Sequence, residues 1–269
     1  MVGVRWLGTA GIELHYGDNV ILIDPYLTRP RKLEVLLRPL KPNERAIVDY
    51  CSNISGNVRA LIIGHTHFDH ALDAPVCART LQCPVFGSRS LKTLCAFTGD
   101  DSRVTVCTGR ENIDLFDGSR LVMIPSNHGL VFFGRVPYPG EIDPGSSVPL
   151  RAHQYRLGDM FMPLIELGGT TFIHAGSANF IESQIESVQC DILFMCVPGW
   201  KKNPSYTKEF VSHVRPSVII PFHYDDFTTP LDRFSVLPCI DVKGFENSVR
   251  STLPGVEILH VRPGIEMHL

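Results

Sequence analysis

Apolar positions along this chain fall in short runs bounded by Gly, Pro, Asn and Asp, which is the spacing of strands rather than of long helices. VGVRWLG, IELHY and NVILID alternate or run apolar, with GDN as a turn signal between the last two. RALIIG reads as a buried strand. PVFG, RVTVC, NIDLF, RLVMIP, LIELGG, TTFIHAG, DILFMCVPG, SVIIPFHY, VEILHVR and IEMHL continue the series. Between them APVCARTL, SRSLKTLCAF, SANFIESQIESV, SYTKEFVSHV and FENSVRSTL carry helical spacing. Residues 26–45 are basic and punctuated by proline, an excursion from the core with room for one short helix. Residues 129–163 read as loop. Both halves of the chain alternate strand and helix with no polar linker and no repeat. The pattern therefore predicts one α/β domain over 1–269, two sheets packed together with helices outside and a lid insertion at 130–163.

Composition narrows the class. A chain of 269 residues with 44% hydrophobic and 20% charged residues can bury a large core. Its net charge of -3 and pI near 6.4 give no support for a polyanion-binding surface, so no nucleic acid is expected. No apolar run approaches the roughly 18 residues of a membrane span. The start, MVGVRWLGTAG, lacks the basic-then-apolar order of a signal peptide. Eight cysteines without a C-x-x-C pair read as thiols filling the core in a reducing, cytoplasmic setting.

Candidate chemistry concentrates in LIIGHTHFDH, where a strand ends in glycine and metal-capable side chains follow at once. His65 and His67 stand two apart, so on extended backbone they point to one side and can share an ion. Asp69 and His70 come where the chain can turn and offer a second set. His128 in RLVMIPSNHG and His223 in SVIIPFHY sit just past other apolar runs, and FIHAGSAN is a fourth strand end. Loops at strand ends are where such folds gather their chemistry, so these segments are expected to converge on one pocket.

With H-T-H-F-D-H on the page, the chain resembles the metallo-β-lactamase superfamily of metal-dependent hydrolases, whose motif is H-x-H-x-D-H. The later order, N-H-G, a strand ending A-G, then P-F-H-Y, agrees with it along nearly the whole chain. WLGTAGIEL and ILIDPYL resemble the family's first hairpin. IHAGSAN, the VPG of CVPGWKKN, IIPFHY and the closing RPG are most similar to the branch of ascorbate-6-phosphate lactonase and N-acyl-phosphatidylethanolamine phospholipase D. The resemblance implies a four-layer αββα sandwich with metals at one edge of the sheets. It implies His65, His67 and His128 on one ion, Asp69, His70 and His223 on a second, and Asp24 supporting the site from behind. Zn2+ suits such donors, one or two ions, with Mn2+ or Fe as alternatives. The implied nucleophile is a metal-bound hydroxide, with Asp69 orienting the water.

One position departs from the family. Where H-A-G-D is usual, this chain has His174, Ala175, Gly176 and Ser177, so a hydroxyl stands where a bridging carboxylate is expected. Two divalent ions and a shared hydroxide would keep a charge of about +2 with Asp69 alone, against about +1 with the usual aspartate. Three outcomes follow: two ions with a weakened second site and Ser177 near the metals, one tight ion with a conditional partner, or a silent fold. Asp225 and Asp226, just after His223, are candidates for a replacement carboxylate.

The leading expectation is a hydrolase of a small ester, lactone or phosphoester. The alternatives are a phosphodiesterase or phospholipase-D-like enzyme, and a catalytically silent metal-binding member. Trp200, Lys201 and Lys202 follow a strand and, with Tyr224 and Tyr206, are candidates for substrate contact, the lysines favouring an anionic small molecule. Phe132, Phe133, Arg135 and Tyr138 belong to the expected lid, which also carries His153. His174 reads as a structural strand-end residue, and His15, His213, His260 and His268 as surface or packing residues. Oligomeric state is left open.

Overall fold

A computed structural model describes residues 1–131 and 134–269; Phe132 and Phe133, named above for the lid, lie outside them. The strands are β1 (Gly3–Gly8), β2 (Gly11–Tyr16), β3 (Asn19–Ile23), β4 (Asn57–Ile62), β5 (Val85–Gly87), β6 (Val104–Val106), β7 (Asn112–Phe116), β8 (Ser119–Pro125), β9 (Phe161–Leu167), β10 (Thr170–Ala175), β11 (Ile192–Cys196), β12 (Val218–Phe222), β13 (Glu257–Ile258) and β14 (Glu266–His268). Among the described residues they form two seven-stranded sheets, ordered β14-β1-β2-β3-β4-β5-β6 and β13-β12-β11-β10-β9-β8-β7. The helices are α1 (Lys32–Leu37), α2 (Glu44–Ser52), α3 (Phe68–Ala71), α4 (Ala74–Leu81), α5 (Arg89–Ala96), α6 (Glu182–Ile185), α7 (Val211–Val214) and α8 (Val242–Thr252). A π-helical turn at Tyr206–Phe210 leads into α7.

The period of two along the strands sorts side chains into two cores. In β3 Ile21 and Ile23 face the second sheet, while Val20 and Leu22 face the helices. In and just beyond β4, Ala60 and Ile62 face inward between the sheets, and Leu61 and Ile63 outward. The core between the sheets joins Val4, Ile12 and Ile21 to Leu121, Ile173 and Leu193, and continues to Phe210 and Phe245 on the far helical side. The outer core packs Ile47, Cys77 and Leu91 of α2, α4 and α5 on the first sheet. Helix, sheet, sheet and helix thus follow one another, the αββα sandwich expected from the residues. Seven cysteines are buried free thiols, and Cys239 is exposed.

Four local readings differ. Residues 26–45 hold α1 and also begin α2, whose cap is the Asn43 side chain accepting from the Ala46 amide. SANFIESQIESV forms only the one-turn α6, because its start is drawn into hydrogen bonds with the loop after β8. β9 begins at Phe161, inside the stretch read as loop; Pro163 pairs with Met123 there, beyond the end of the β10 ladder at Leu164, where no amide is needed. VEILHVR contributes only β13, two residues long.

One buried acid ties the first sheet to its helices. Glu13 in β2 is fully enclosed and takes hydrogen bonds from His15, from the Tyr50 hydroxyl of α2 and from Arg5 at 2.6 Å. Burial alone would raise its pKa, but His15, Tyr50 and the Arg5 charge together hold it below the usual 4.5. A carboxyl depressed by folding contributes stability that is present above its unfolded pKa and lost as pH falls through the folded value. Glu13→Gln is therefore expected to cost about 1.5–3 kcal/mol at neutral pH. The gap from wild type should close as thermal melts are carried down through the carboxylate range; a gap independent of pH would show that the charge is not what stabilises.

Candidate metal centre

The C-terminal ends of β3, β4, β8, β10 and β12 meet at one edge of the sandwich, and each delivers side chains to it. After β4 a bend at Gly64 leads to His67, itself in extended conformation (φ -62°, ψ 152°), and His65 and His67 converge on one point. α3 then turns Asp69 and His70 back toward the same opening. His128 arrives from the loop after β8. His223 arrives one residue beyond β12, at φ 64°, where an L residue is strained.

The structure brings His65, His67 and His128 together, and separately Asp69, His70 and His223, each trio offering ligand atoms within 4.8 Å of one another. Asp24, His65 and His70 make a third such group. The Nε2 of His65 lies 3.1 Å from Nδ1 of His67, and the Nε2 atoms of His70 and His223 lie 3.3 Å apart. Two nitrogens on one tetrahedral ion, each about 2.05 Å from it, stand roughly 3.3 Å apart, so both pairs have the spacing of shared ligands. Asp69 Oδ2 is 3.5 Å from His223 Nε2.

Hydrogen bonds on the remaining ring atoms fix which nitrogen is offered. Asp24 Oδ2 accepts from His70 Nδ1 at 2.7 Å, which leaves Nε2 as the lone pair. The Pro137 carbonyl accepts from His67 Nε2 at 2.9 Å, and that of Gly129 accepts from His128 Nδ1 at 2.7 Å. Among the described residues, the buried Nδ1 atoms of His65 and His223 have no hydrogen-bond partner.

Burial and then mutual repulsion push His65 well below its usual pKa; burial, ahead of the opposing pull of Asp69, takes His67 down to about 4 and His128 to about 3. These rings are neutral donors at neutral pH. Burial works against charge on His70 too, but Asp24 outweighs it and raises that ring. Burial would raise Asp69, yet the histidines around it hold the carboxyl well below 3.8, so it stays ionised. Three neutral imidazoles, two further histidines and an ionised carboxylate, converging on one opening, fit a divalent cation.

The other candidates are placed as follows. Ser177 is buried, and its Oγ accepts the Gly129 amide at 2.9 Å, gripping the loop that carries His128. The neighbouring Asn179 donates to the His128 carbonyl at 3.1 Å. Neither proposed replacement carboxylate is free to take the place of the missing aspartate. Asp225 holds the Thr9 amide and pairs with buried Arg29 at 2.6 Å, while Asp226 accepts from Thr228 and pairs with Lys32. His174 donates Nε2 to the Ala10 carbonyl, as a structural residue would. Lys201 pairs with Asp241 at 2.7 Å, Lys202 donates to the Val131 carbonyl, and Trp200 packs on Phe245. Tyr224 is buried against Trp6, and Tyr206 is a core residue stacked on Phe210.

Two participants escaped the sequence. The Pro137 carbonyl carries no side-chain signal at all. Arg29 was hidden within a basic stretch that read as an excursion from the core, although it is buried and paired with Asp225, two residues after His223. Tyr138, at φ 41°, sets its ring 6.3 Å from that of His67 and 6.4 Å from that of His153.

Sandwich and paired clusters together define a candidate metal centre at one edge of an αββα fold. The sequence pattern of the beta-lactamase superfamily domain matches residues 3–223, and the chain belongs to the metallo-β-lactamase superfamily. A UPF0173 metal-dependent hydrolase of Ruegeria pomeroyi is 27% identical over 129 residues, 48% of this chain and 50% of that protein. The chain spans about half the length of the first curated relatives it matches. A UPF0173 metal-dependent hydrolase of Aeropyrum pernix is 25% identical over 233 residues, 84% of each chain. The metallo hydrolase Igni18 of Ignicoccus hospitalis shares the fold with a TM-score of 0.64 at 18% identity, covering 100% of this chain and 99% of its own.

Removing the Ser177 hydroxyl leaves the Gly129 amide buried without its acceptor. Ser177→Ala is expected to lose about 1–3 kcal/mol in urea unfolding. Unchanged stability would show that this contact does not hold the His128 loop.

Proposed function

We propose that this protein is a metal-dependent hydrolase of a small ester, lactone or phosphoester. The observation that supports the reading is the pair of trios, His65–His67–His128 and Asp69–His70–His223, with donor spacings suited to one ion each. In this reading His65 Nε2, His67 Nδ1 and His128 Nε2 hold the first ion, and His70 Nε2, His223 Nε2 and an Asp69 oxygen hold the second. Zn2+ suits this set best. Ions there supply Lewis acidity toward the scissile group and acidify water near neutral pH. Asp69, ionised and partly open to solvent, accepts a proton-bearing bond from the attacking water and sets its direction. Asp24 and the Pro137 and Gly129 carbonyls keep three of the rings in the required tautomer. Tyr138 and His153 form a wall beside His67, and the 134–160 stretch that carries them serves as the lid. In this reading Lys201, 61% exposed beside Asp241, exchanges that partner for an anionic group on the substrate.

A second reading, a member that keeps metal without turnover, is favoured by one observation. Ser177 supplies no carboxylate, and Asp225 and Asp226 are engaged elsewhere. Elemental analysis of wild type and Ser177→Asp, followed by assay on esters, lactones, phosphomonoesters and phosphodiesters, separates the two. About one to two ions per chain are expected in wild type and close to two in Ser177→Asp. Hydrolysis of at least one substrate should vanish in His65→Ala together with the first ion. Equal, full occupancy in both proteins would refute the role given to Ser177. Full metal with no turnover across the panel would establish the silent reading.

A further inference from the structure

α1 is an oddity of this fold. None of its six residues is buried, although a helix this short draws little stability from its own hydrogen bonds. Leu33, Leu36 and Leu37 stand at i, i+3 and i+4, one stripe of the helix, and that stripe faces solvent: they are 69%, 74% and 66% exposed. Val35 alone turns its side chain partly toward the outer core. Such a helix is amphipathic with its apolar face turned outward.

The stripe is firmly presented. At its C-terminal end Arg151 donates to the Leu37 carbonyl at 2.8 Å, Leu40 donates to the Leu150 carbonyl at 2.7 Å, and Pro39 bridges to Arg151. At its N-terminal end the Glu34 carboxylate bends back to accept the Arg31 amide at 2.8 Å.

Charge says what would cover it. The segment RKLEVLLRPLKPNER, residues 31–45, has five cations against two acids in a chain whose net charge is -3. Arg31, Arg38 and Lys41 are exposed around the stripe, as is Lys32, which pairs with Asp226 at 2.9 Å. Beside it Arg31, Lys32 and Arg38, with one acid, Glu34, and with Thr228 and Thr229, line an open cleft of about 580 Å³, cationic on balance and roomy enough for a charged headgroup. A second copy of this chain is disfavoured as the occupant, since a two-fold contact would set these cations against themselves. A protein partner is disfavoured because specific interfaces bury about 800 Å² per side around aromatic anchors, and the stripe is three leucines on six residues.

We propose that α1 docks this protein on an anionic phospholipid surface, the three leucines entering the headgroup–acyl boundary and the surrounding cations meeting lipid phosphates. The inference is independent of the hydrolase reading, since no residue of the two trios takes part.

Flotation of the metal-loaded protein with vesicles tests it. Wild type is expected to rise with vesicles of phosphatidylcholine plus phosphatidylserine and to stay behind with phosphatidylcholine alone. A Leu33→Ser, Leu36→Ser, Leu37→Ser variant should lose roughly tenfold or more in partitioning, and Arg38→Gln with Lys41→Gln should weaken binding and reduce its salt dependence. Both variants should keep the wild-type melting temperature and metal content, because the substituted side chains are exposed. Wild type that ignores phosphatidylserine vesicles, or flotation unaffected by the leucine changes, overturns the proposal. So does a dimer in light scattering that the leucine variant abolishes, or a leucine-dependent protein complex without vesicle binding.

Discussion

Asp24 stands at φ 45°, a conformation that costs an L residue about 1 kcal/mol, and its carboxylate is wholly enclosed. One oxygen takes the Gly64 amide at 2.7 Å, the other the His70 ring at 2.7 Å. A buried carboxylate is tolerable only when its lone pairs are used, and here both oxygens are. The two bonds join the end of β3 to the end of β4 and aim His70, the central histidine of the second trio. Gly64 is tightly enclosed: a Cβ there would stand 3.2 Å from the Phe161 carbonyl and 3.3 Å from Asp24 itself, so either neighbour would have to give way slightly. Loss of this one contact would free His70 to rotate and leave a charge without partners in the core.

A second buried charge does the same for the opposite side. Arg29, itself at φ 44°, reaches Asp225 and the Thr9 hydroxyl, and two further carbonyls of the 226–229 loop. It holds the turn after β1 against the segment after β12, so the strained His223 is anchored from its C-terminal side. Strain at 24, 29 and 223 gathers around the proposed ligands, where surrounding contacts over-determine the backbone.

Much of this was legible. Strand periods gave the two sheets, because burying one face of a strand leaves a period of two in the text. H-T-H-F-D-H marked the site because three imidazoles beside a carboxylate have few other uses at a strand end. His128 and His223 were legible only through their places after apolar runs. The sequence was silent on what depends on backbone: the Pro137 carbonyl, the grip of Ser177 on Gly129, the one-turn length of α6. It was misleading at Asp225 and Asp226, since adjacency to a ligand in the chain says nothing about which way a carboxylate faces. The outward stripe of α1 was hidden as well, because periodicity reveals a face without revealing whether the core or the solvent receives it.

The bond from His67 to the Pro137 carbonyl gives the 134–160 stretch a stake in the centre it overhangs. Thr66 also donates its amide to the Leu157 carbonyl at 3.0 Å, and Leu157 donates to Tyr138 at 2.9 Å, so stretch and histidine segment are stitched at several points. Two events that share a contact are thermodynamically reciprocal. Whatever steadies His67 must steady the overhang by the same factor, and whatever loosens the overhang must weaken the grip of His67. Sequence drift in a surface loop can therefore retune the affinity of this centre for its ion without altering a single ligand.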